Sequence, residues 1–176
     1  QGLEGNHVAL LAARIDNTTG AIRANDSTTL TGSGTLHNTD GLVSAGHSLA
    51  IQDPATRQTL AITNTNGTLI AGQQLTIGSA SLSGDGAVLS QADLNIQLRQ
   101  GLINSGQIMA NGNASVQTDA ALTNRGTLAA GNTLQAVAAV IDNQASGQLF
   151  ANSVKLHTTD SLTNRGSINA ADTAVD

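Results

Sequence analysis

The chain has 176 residues, a formal net charge of -5, 11% charged residues, one Phe, no Trp or Tyr, no Cys and one Pro. Its 7 Lys and Arg are scattered, which excludes a nucleic-acid surface built on clustered cations, and the lack of Cys excludes a disulfide scaffold. Hydrophobic residues make up 39%, nearly all Leu, Ile, Val and Ala; the expected core is thin and aliphatic, and no run of about 18 apolar residues offers membrane insertion.

One pattern recurs along the chain: Leu or Ile, any residue, Asn, a short polar step, Gly, any residue, then Ile, Leu or Val. In chain order it reads Ile15-Asp16-Asn17 with Gly20 and Ile22, Leu36-His37-Asn38 with Gly41 and Val43, and Ile62-Thr63-Asn64 with Gly67 and Leu69. A degenerate copy follows, Leu82-Ser83-Gly84 with Gly86 and Val88, in which Gly84 replaces the Asn. The remaining copies are Leu102-Ile103-Asn104 with Gly106 and Ile108, Leu122-Thr123-Asn124 with Gly126 and Leu128, Ile141-Asp142-Asn143 with Gly147 and Leu149, and Leu162-Thr163-Asn164 with Gly166 and Ile168. Successive glycines of these copies lie 21, 26, 19, 20, 20, 21 and 19 residues apart.

Between these signatures apolar and polar residues alternate, as in Leu49-Ala50-Ile51, Leu75-Thr76-Ile77 and Leu94-Asn95-Ile96. That is the period of a strand with one buried face, and no helical stripe interrupts it. A unit of about 20 residues with two or three short strands is too short for a propeller blade and lacks the leucine spacing of a leucine-rich repeat. The remaining solution is an all-β parallel β-helix, a β-solenoid of about eight coils, because a lone coil cannot bury enough surface to fold and must lean on its neighbours. Strands of about four to six residues are expected, with Leu122, Leu128, Ala130, Leu134 and Ala136 pointing inward in one coil. Residues 1–176 are expected to form a single such segment. Because the chain starts at Gln1 without Met and stops in mid-pattern at Asp176, it is expected to be a piece of a much larger protein.

The Asn of each copy shares the face of the Leu or Ile two residues earlier. Asn17, Asn38, Asn64, Asn104, Asn124, Asn143 and Asn164 are therefore expected to form a structural ladder of amides at a corner. The repeat glycines read as turn glycines at positions that favour positive φ. The single long interval contains Gln52-Asp53-Pro54-Ala55-Thr56-Arg57-Gln58, and since Pro54 cannot donate to a central ladder, an irregular loop near residues 52–60 is expected to bulge from the coil. Asp53, Pro54 and Arg57 are its candidate contact residues. Arg125 and Arg165 occupy one repeat position two coils apart and should share an edge of the rod. Phe150 follows the inward Leu149, so alternation sends it outward as a further contact candidate.

These motifs, above all Leu122-Thr123-Asn124-Arg125-Gly126-Thr127-Leu128 and Leu162-Thr163-Asn164-Arg165-Gly166-Ser167-Ile168, resemble the repeat region of the filamentous haemagglutinin family over about residues 15 to 176. The resemblance implies a right-handed coil in a two-partner secretion exoprotein, an adhesin or a contact-dependent growth inhibition stalk. It implies a secreted or cell-surface location on a Gram-negative bacterium, with the outer-membrane transporter as partner during export. The function it implies is a structural stalk that extends a functional region away from the cell. The alternative is an adhesive module that binds a host or neighbouring-cell receptor or glycan.

Chemistry beyond that finds little support. Parallel β-helices also carry polysaccharide-cleaving enzymes, but these need converging carboxylates, and Asp16 and Asp142 occupy matching sites far apart along the rod. His7, His37, His47 and His157 are too separated in sequence to suggest a zinc set, and no nucleophile elbow is present. No catalytic, cofactor-binding or metal-binding residues are expected, and no cofactor.

Overall fold

A computed structural model describes residues 2–176, and in these the chain is strand and turn throughout, with no helix. Every strand pairing is parallel, and each strand bonds to its equivalents in the preceding and following coils. The result is a β-solenoid of about nine coils.

Three flat faces make up each coil. The first is built from the start of β1 (Gly2–Asp16) and β2 (Ala21–His37), then β3 (Leu42–Ala45), β6 (Thr68–Ala71), β8 (Ala87–Ser90), β10 (Gln107–Ala110), β13 (Thr127–Ala130), β15 (Gln148–Phe150) and β17 (Ser167–Asn169). Its inward file runs through Ile22, Val43, Leu69, Val88, Ile108, Leu128 and Leu149, each at most 3% exposed. The second face uses β4 (Ser48–Gln52), the first half of β7 (Gln74–Gly84), β9 (Asp93–Asn104), β14 (Thr133–Asn143) and β16 (Ser153–Asn164), together with β11 (Ala114–Thr118) and β18 (Asp172–Val175). The third uses β5 (Ala61–Thr63), β12 (Ala121–Asn124) and the second halves of those long strands. Leu36, Ile62, Leu82, Leu102, Leu122 and Ile141 form its inward file.

Alternation explains both the burial and the register. In β4 the pattern is exposed, buried, intermediate, buried, exposed, so Leu49 and Ile51 enter the core while Ala50 stays out. A one-residue slip would turn every inward file to solvent, so the aliphatic pattern locks the coils in register. Leu122, Leu128, Ala130, Leu134 and Ala136 are all buried.

Three expectations are corrected. Eight Asn-Gly signatures mark turns between coils, and eight turns separate nine coils; the first coil is already formed by β1, where Leu3 pairs with Ile22 and Leu10 with Leu30. Some strands are also longer than the expected four to six residues: β1 has 15, β2 has 17 and β9 has 12, whereas β3, β6 and β10 have 4. In the coils built on β1, β2, β7, β9, β14 and β16 the corner between the second and third faces is not a turn but a bend in extended chain, with register shifts between Ser79 and Ser81 and between Ala138 and Val140. Such a bulge bends a strand without ending its pairing.

The third correction concerns glycine. In the first three turns the positive φ falls on Thr19, Asp40 and Asn66, immediately before the repeat glycine, and not on the glycine itself. At Gly126 the requirement is space: a Cβ there would lie 2.0 Å from the Gly106 carbonyl oxygen of the preceding coil. The glycine lets two stacked turns touch backbone to backbone.

Candidate functional site

The asparagines form two hydrogen-bonded rows at the corner after the third face. Asn17 Nδ2 donates to Asn38 Oδ1 (2.7 Å), and Asn38 Nδ2 to Asn64 Oδ1 (2.8 Å). Beyond the break, Asn104 donates to Asn124 (2.8 Å), Asn124 to Asn143 (2.9 Å) and Asn143 to Asn164 (2.8 Å). Most of these amides also donate to a backbone carbonyl, for example Asn104 to Thr127 O at 3.0 Å and Asn124 to Gln148 O at 3.2 Å. Asn38 and Asn124 are fully buried, so their amides satisfy one another and the neighbouring turn instead of water. Asn164, on the last complete turn, is exposed.

Gly84 interrupts the row for a geometric reason. Its φ is +127°, and a Cβ there would stand 2.1 Å from the Asn64 carbonyl oxygen. Asn64 Nδ2 donates to Ala87 O at 3.0 Å, and no asparagine bond spans from Asn64 to Asn104.

The loop following β4 bulges from the third coil and is organised from within by Asp53. That carboxylate accepts from the amides of Ala55, Thr59 and Leu60, each at 2.7 Å, and from the Thr59 hydroxyl at 3.0 Å. Burial alone would raise the Asp53 pKa, but the hydrogen bonds from Leu60, Thr59 and Ala55 outweigh it and hold it below the usual carboxylate value. Asp53 is therefore turned inward, and Leu60 seats in the core at 1% exposure. Pro54 is exposed, while Arg57 is half-buried and, with Thr56, adopts positive φ. The loop leans along the rod past the next coil, so that Gln100 Nε2, two coils on in β9, donates to Gln58 O at 3.4 Å.

Arg125 and Arg165 lie on the turn edge and are linked through side chains that sequence reasoning had not joined. Arg125 Nε donates to Gln144 Oε1 (2.9 Å), Gln144 Nε2 to Asp142 Oδ2 (3.0 Å), and Arg165 Nη2 to Asp142 Oδ1 (3.0 Å). The Gln144 and Arg165 hydrogen bonds keep the Asp142 pKa below its ordinary value. Asp16 is likewise lowered, by the Thr18 hydroxyl and amide. Among these contacts Arg165–Asp142 is the ion pair, solvated and worth about 0–1 kcal/mol.

The histidines are less separate than their spacing suggests. His7 Nδ1 lies 3.2 Å and His47 Nδ1 3.3 Å from different oxygens of Asp26, across three successive coils. The available signal was alignment on the core, since Asp26 and His47 stand at the same distance before the inward Leu30 and Ile51. Among the described residues no group of three His, Cys, Asp or Glu side chains is placed to hold a metal ion.

Phe150 points outward at 53% exposure and pairs in register with Ala129, which pairs with Met109. The same outward file continues back through Leu89 and Ile70.

The haemagglutinin repeat profile matches the chain at residues 5–53, 45–95, 78–126 and 91–175. No curated protein and no solved structure matches it. With the repeat matched over nearly the whole length and a coil for every copy of it, the chain belongs to the haemagglutinin repeat family, as a repeat region of the filamentous haemagglutinin kind.

Proposed function

We propose that this chain is a shaft segment of a secreted, surface-displayed bacterial exoprotein, which holds a functional region away from the cell. The supporting observation is unbroken parallel pairing from Gly2 to Val175. With about 4.8 Å between coils, eight spacings give a rod of roughly 38 Å. A solenoid of this kind gains length by adding coils without changing its cross-section. The family is of the adhesin type and non-enzymatic, which suits a role in reach and stiffness rather than turnover.

On this reading the exoprotein leaves a Gram-negative cell by two-partner secretion, and its outer-membrane transporter is the partner during export. Each coil depends on its neighbours, so the chain can travel unfolded and fold coil on coil as it emerges.

A coil-exchange experiment tests the shaft role. In the exoprotein displayed on cells, this segment is replaced by an unrelated β-solenoid with the same number of coils. Retained adhesion or toxin delivery is the expected result. Loss of activity despite normal display would overturn the proposal, since it would mean that the surface chemistry of the segment matters.

A further inference from the structure

The charged side chains of this protein, 7 Lys and Arg and 12 Asp and Glu, avoid one surface. Outward charges interrupt the second face at Asp93, Lys155 and Asp172, and the third at Arg14, Asp16 and Asp142. On the first face, among the described residues, no outward position from the third coil to the ninth is charged. Within it lies an apolar stripe in register over five successive coils: Ile70, Leu89, Met109, Ala129 and Phe150. Ser44 bounds the stripe at one end and Asn169 at the other.

The stripe has relief. Phe150 and Met109 stand out at 53% and 38% exposure, whereas Ala129 between them points outward yet is only 5% exposed. It is the floor of a hollow walled by Met109, Thr127, Gln148 and Phe150. Met and Phe at the centre, with charge kept away, is the composition of a protein interface core.

We propose that this stripe docks on the same stripe of a second copy of this chain, the two rods lying antiparallel about a two-fold axis through Met109. A two-fold demands a self-complementary surface, in which residue i meets j and j meets i. The file satisfies this at every coil of the overlap. Met109, on the axis, meets its own copy. Leu89 meets Ala129, a side chain over the hollow; Ile70 meets Phe150, and polar Ser44 meets polar Asn169. The charged members of the file, Glu4 and Arg23 in the first two coils, fall outside the overlap. The same rotation lays Gln107, Thr127 and Gln148 over the second copy's corner beyond the stripe, where Asn111, Gln91 and Gln73 are exposed. Hydrogen-bonding groups there meet their like, and no carboxylate is buried.

Pitch favours this partner over others. Coils recur about every 4.8 Å, and a second copy has the same repeat, so every contact along the stripe stays in step. An α-helix laid on it rises about 5.4 Å per turn and would be out of step by about half a spacing after four coils. Area suffices as well. The described residues expose 7835 Å², and a third of the lateral surface over seven of nine coils exceeds the roughly 800 Å² per partner of a stable interface. This inference goes beyond the shaft role and does not depend on it.

The test is sedimentation equilibrium of the 176-residue chain over a concentration series, joined to cross-linking. The mass should rise from the 17.7 kDa of one chain to twice that and stop. Met109→Glu sets two carboxylates against each other on the axis and should weaken association by more than about tenfold; mixing it with Met109→Lys should restore a dimer. Gln135→Glu, on the outer surface of the second face, should leave association unchanged. Met109 and Gln135 are exposed, and an unchanged circular dichroism spectrum shows that each variant folds. The chain has no Cys, so introduced thiols report without background. Facing sheets sit about 10 Å apart, too far for a direct disulfide, and a short bismaleimide is the linker. It should join Ile70→Cys to Phe150→Cys in a mixture and leave each alone unjoined, since like positions then lie four spacings, about 19 Å, apart. A chain that stays monomeric, growth beyond the dimer, undiminished association in Met109→Glu, or joining of Phe150→Cys to itself overturns the proposal. Failure here leaves the coil-exchange result standing, since that experiment asks only whether reach suffices.

Discussion

Replacing Asn124 with Ala tests whether the amide row stabilises the solenoid or merely occupies space. The fully buried Asn124 accepts from Asn104 and donates to Asn143 and to Gln148 O. Truncation removes all three bonds at about 1 kcal/mol each and leaves Asn143 Oδ1 without this donor in a buried setting, for a total of about 3–4 kcal/mol. Asn104 keeps its bond to Thr127 O at 3.0 Å, which limits the damage on that side. Asn164→Ala is the internal control, because Asn164 is exposed and accepts a single bond from Asn143; its cost should stay below about 1 kcal/mol. Urea unfolding followed by circular dichroism measures both, and a lowered m-value in Asn124→Ala would show the stack parting near the sixth coil. A double-mutant cycle with Asn104→Ala isolates the coupling between adjacent amides. Equal losses in Asn124→Ala and Asn164→Ala would refute the reasoning, as would a coupling of zero.

Other consequences follow from single positions. Gly84→Asn restores the consensus residue yet should destabilise the fold by at least about 1 kcal/mol, since its φ of +127° and the nearby Asn64 carbonyl leave no room for a Cβ; a more stable variant in the same unfolding assay would contradict this. Asp53→Asn should cost about 3 kcal/mol at neutral pH, because an amide nitrogen would face backbone donors in place of a charged acceptor. In the unaltered chain the Asp53 pKa is lower folded than unfolded, so its contribution is complete above the unfolded value near 3.9 and is lost as pH falls through the folded one. Hydrogen exchange at the Ala55, Thr59 and Leu60 amides across that range should show the loss in the parent and a flat, already weakened response in Asp53→Asn. Leu128→Ala should cost about 2–5 kcal/mol by opening a cavity, whereas Leu11→Ala, at 80% exposure, should be near neutral by chemical denaturation. Arg165→Gln breaks an exposed ion pair with Asp142 and should change stability by less than about 1 kcal/mol; a larger loss in the same assay would mark the edge network as a structural tie.

The coil itself was legible in the sequence because its determinants are local. Alternation in segments such as Leu75-Thr76-Ile77 fixes which side chains face inward, and the recurring Asn and Gly fix where each lap ends. The row of Asn17, Asn38 and Asn64 could be read from the same spacing. What depends on contact between laps could not be read. The repeat glycines were assigned to positive φ, but Gly126 is required by the approach of the Gly106 carbonyl. Asp53 looked like a surface acid until its four donors were visible. His7 and His47 looked unrelated until stacking set both against Asp26. The physical reason is that alternation and turn chemistry act over a few neighbouring residues, whereas lateral neighbours are chosen by turn lengths that vary from coil to coil. Sequence alone thus determined the aliphatic tube and its repeat; the apolar stripe ending at Phe150, the break at Gly84 and the inward turn of Asp53 were decided only when the coils were stacked.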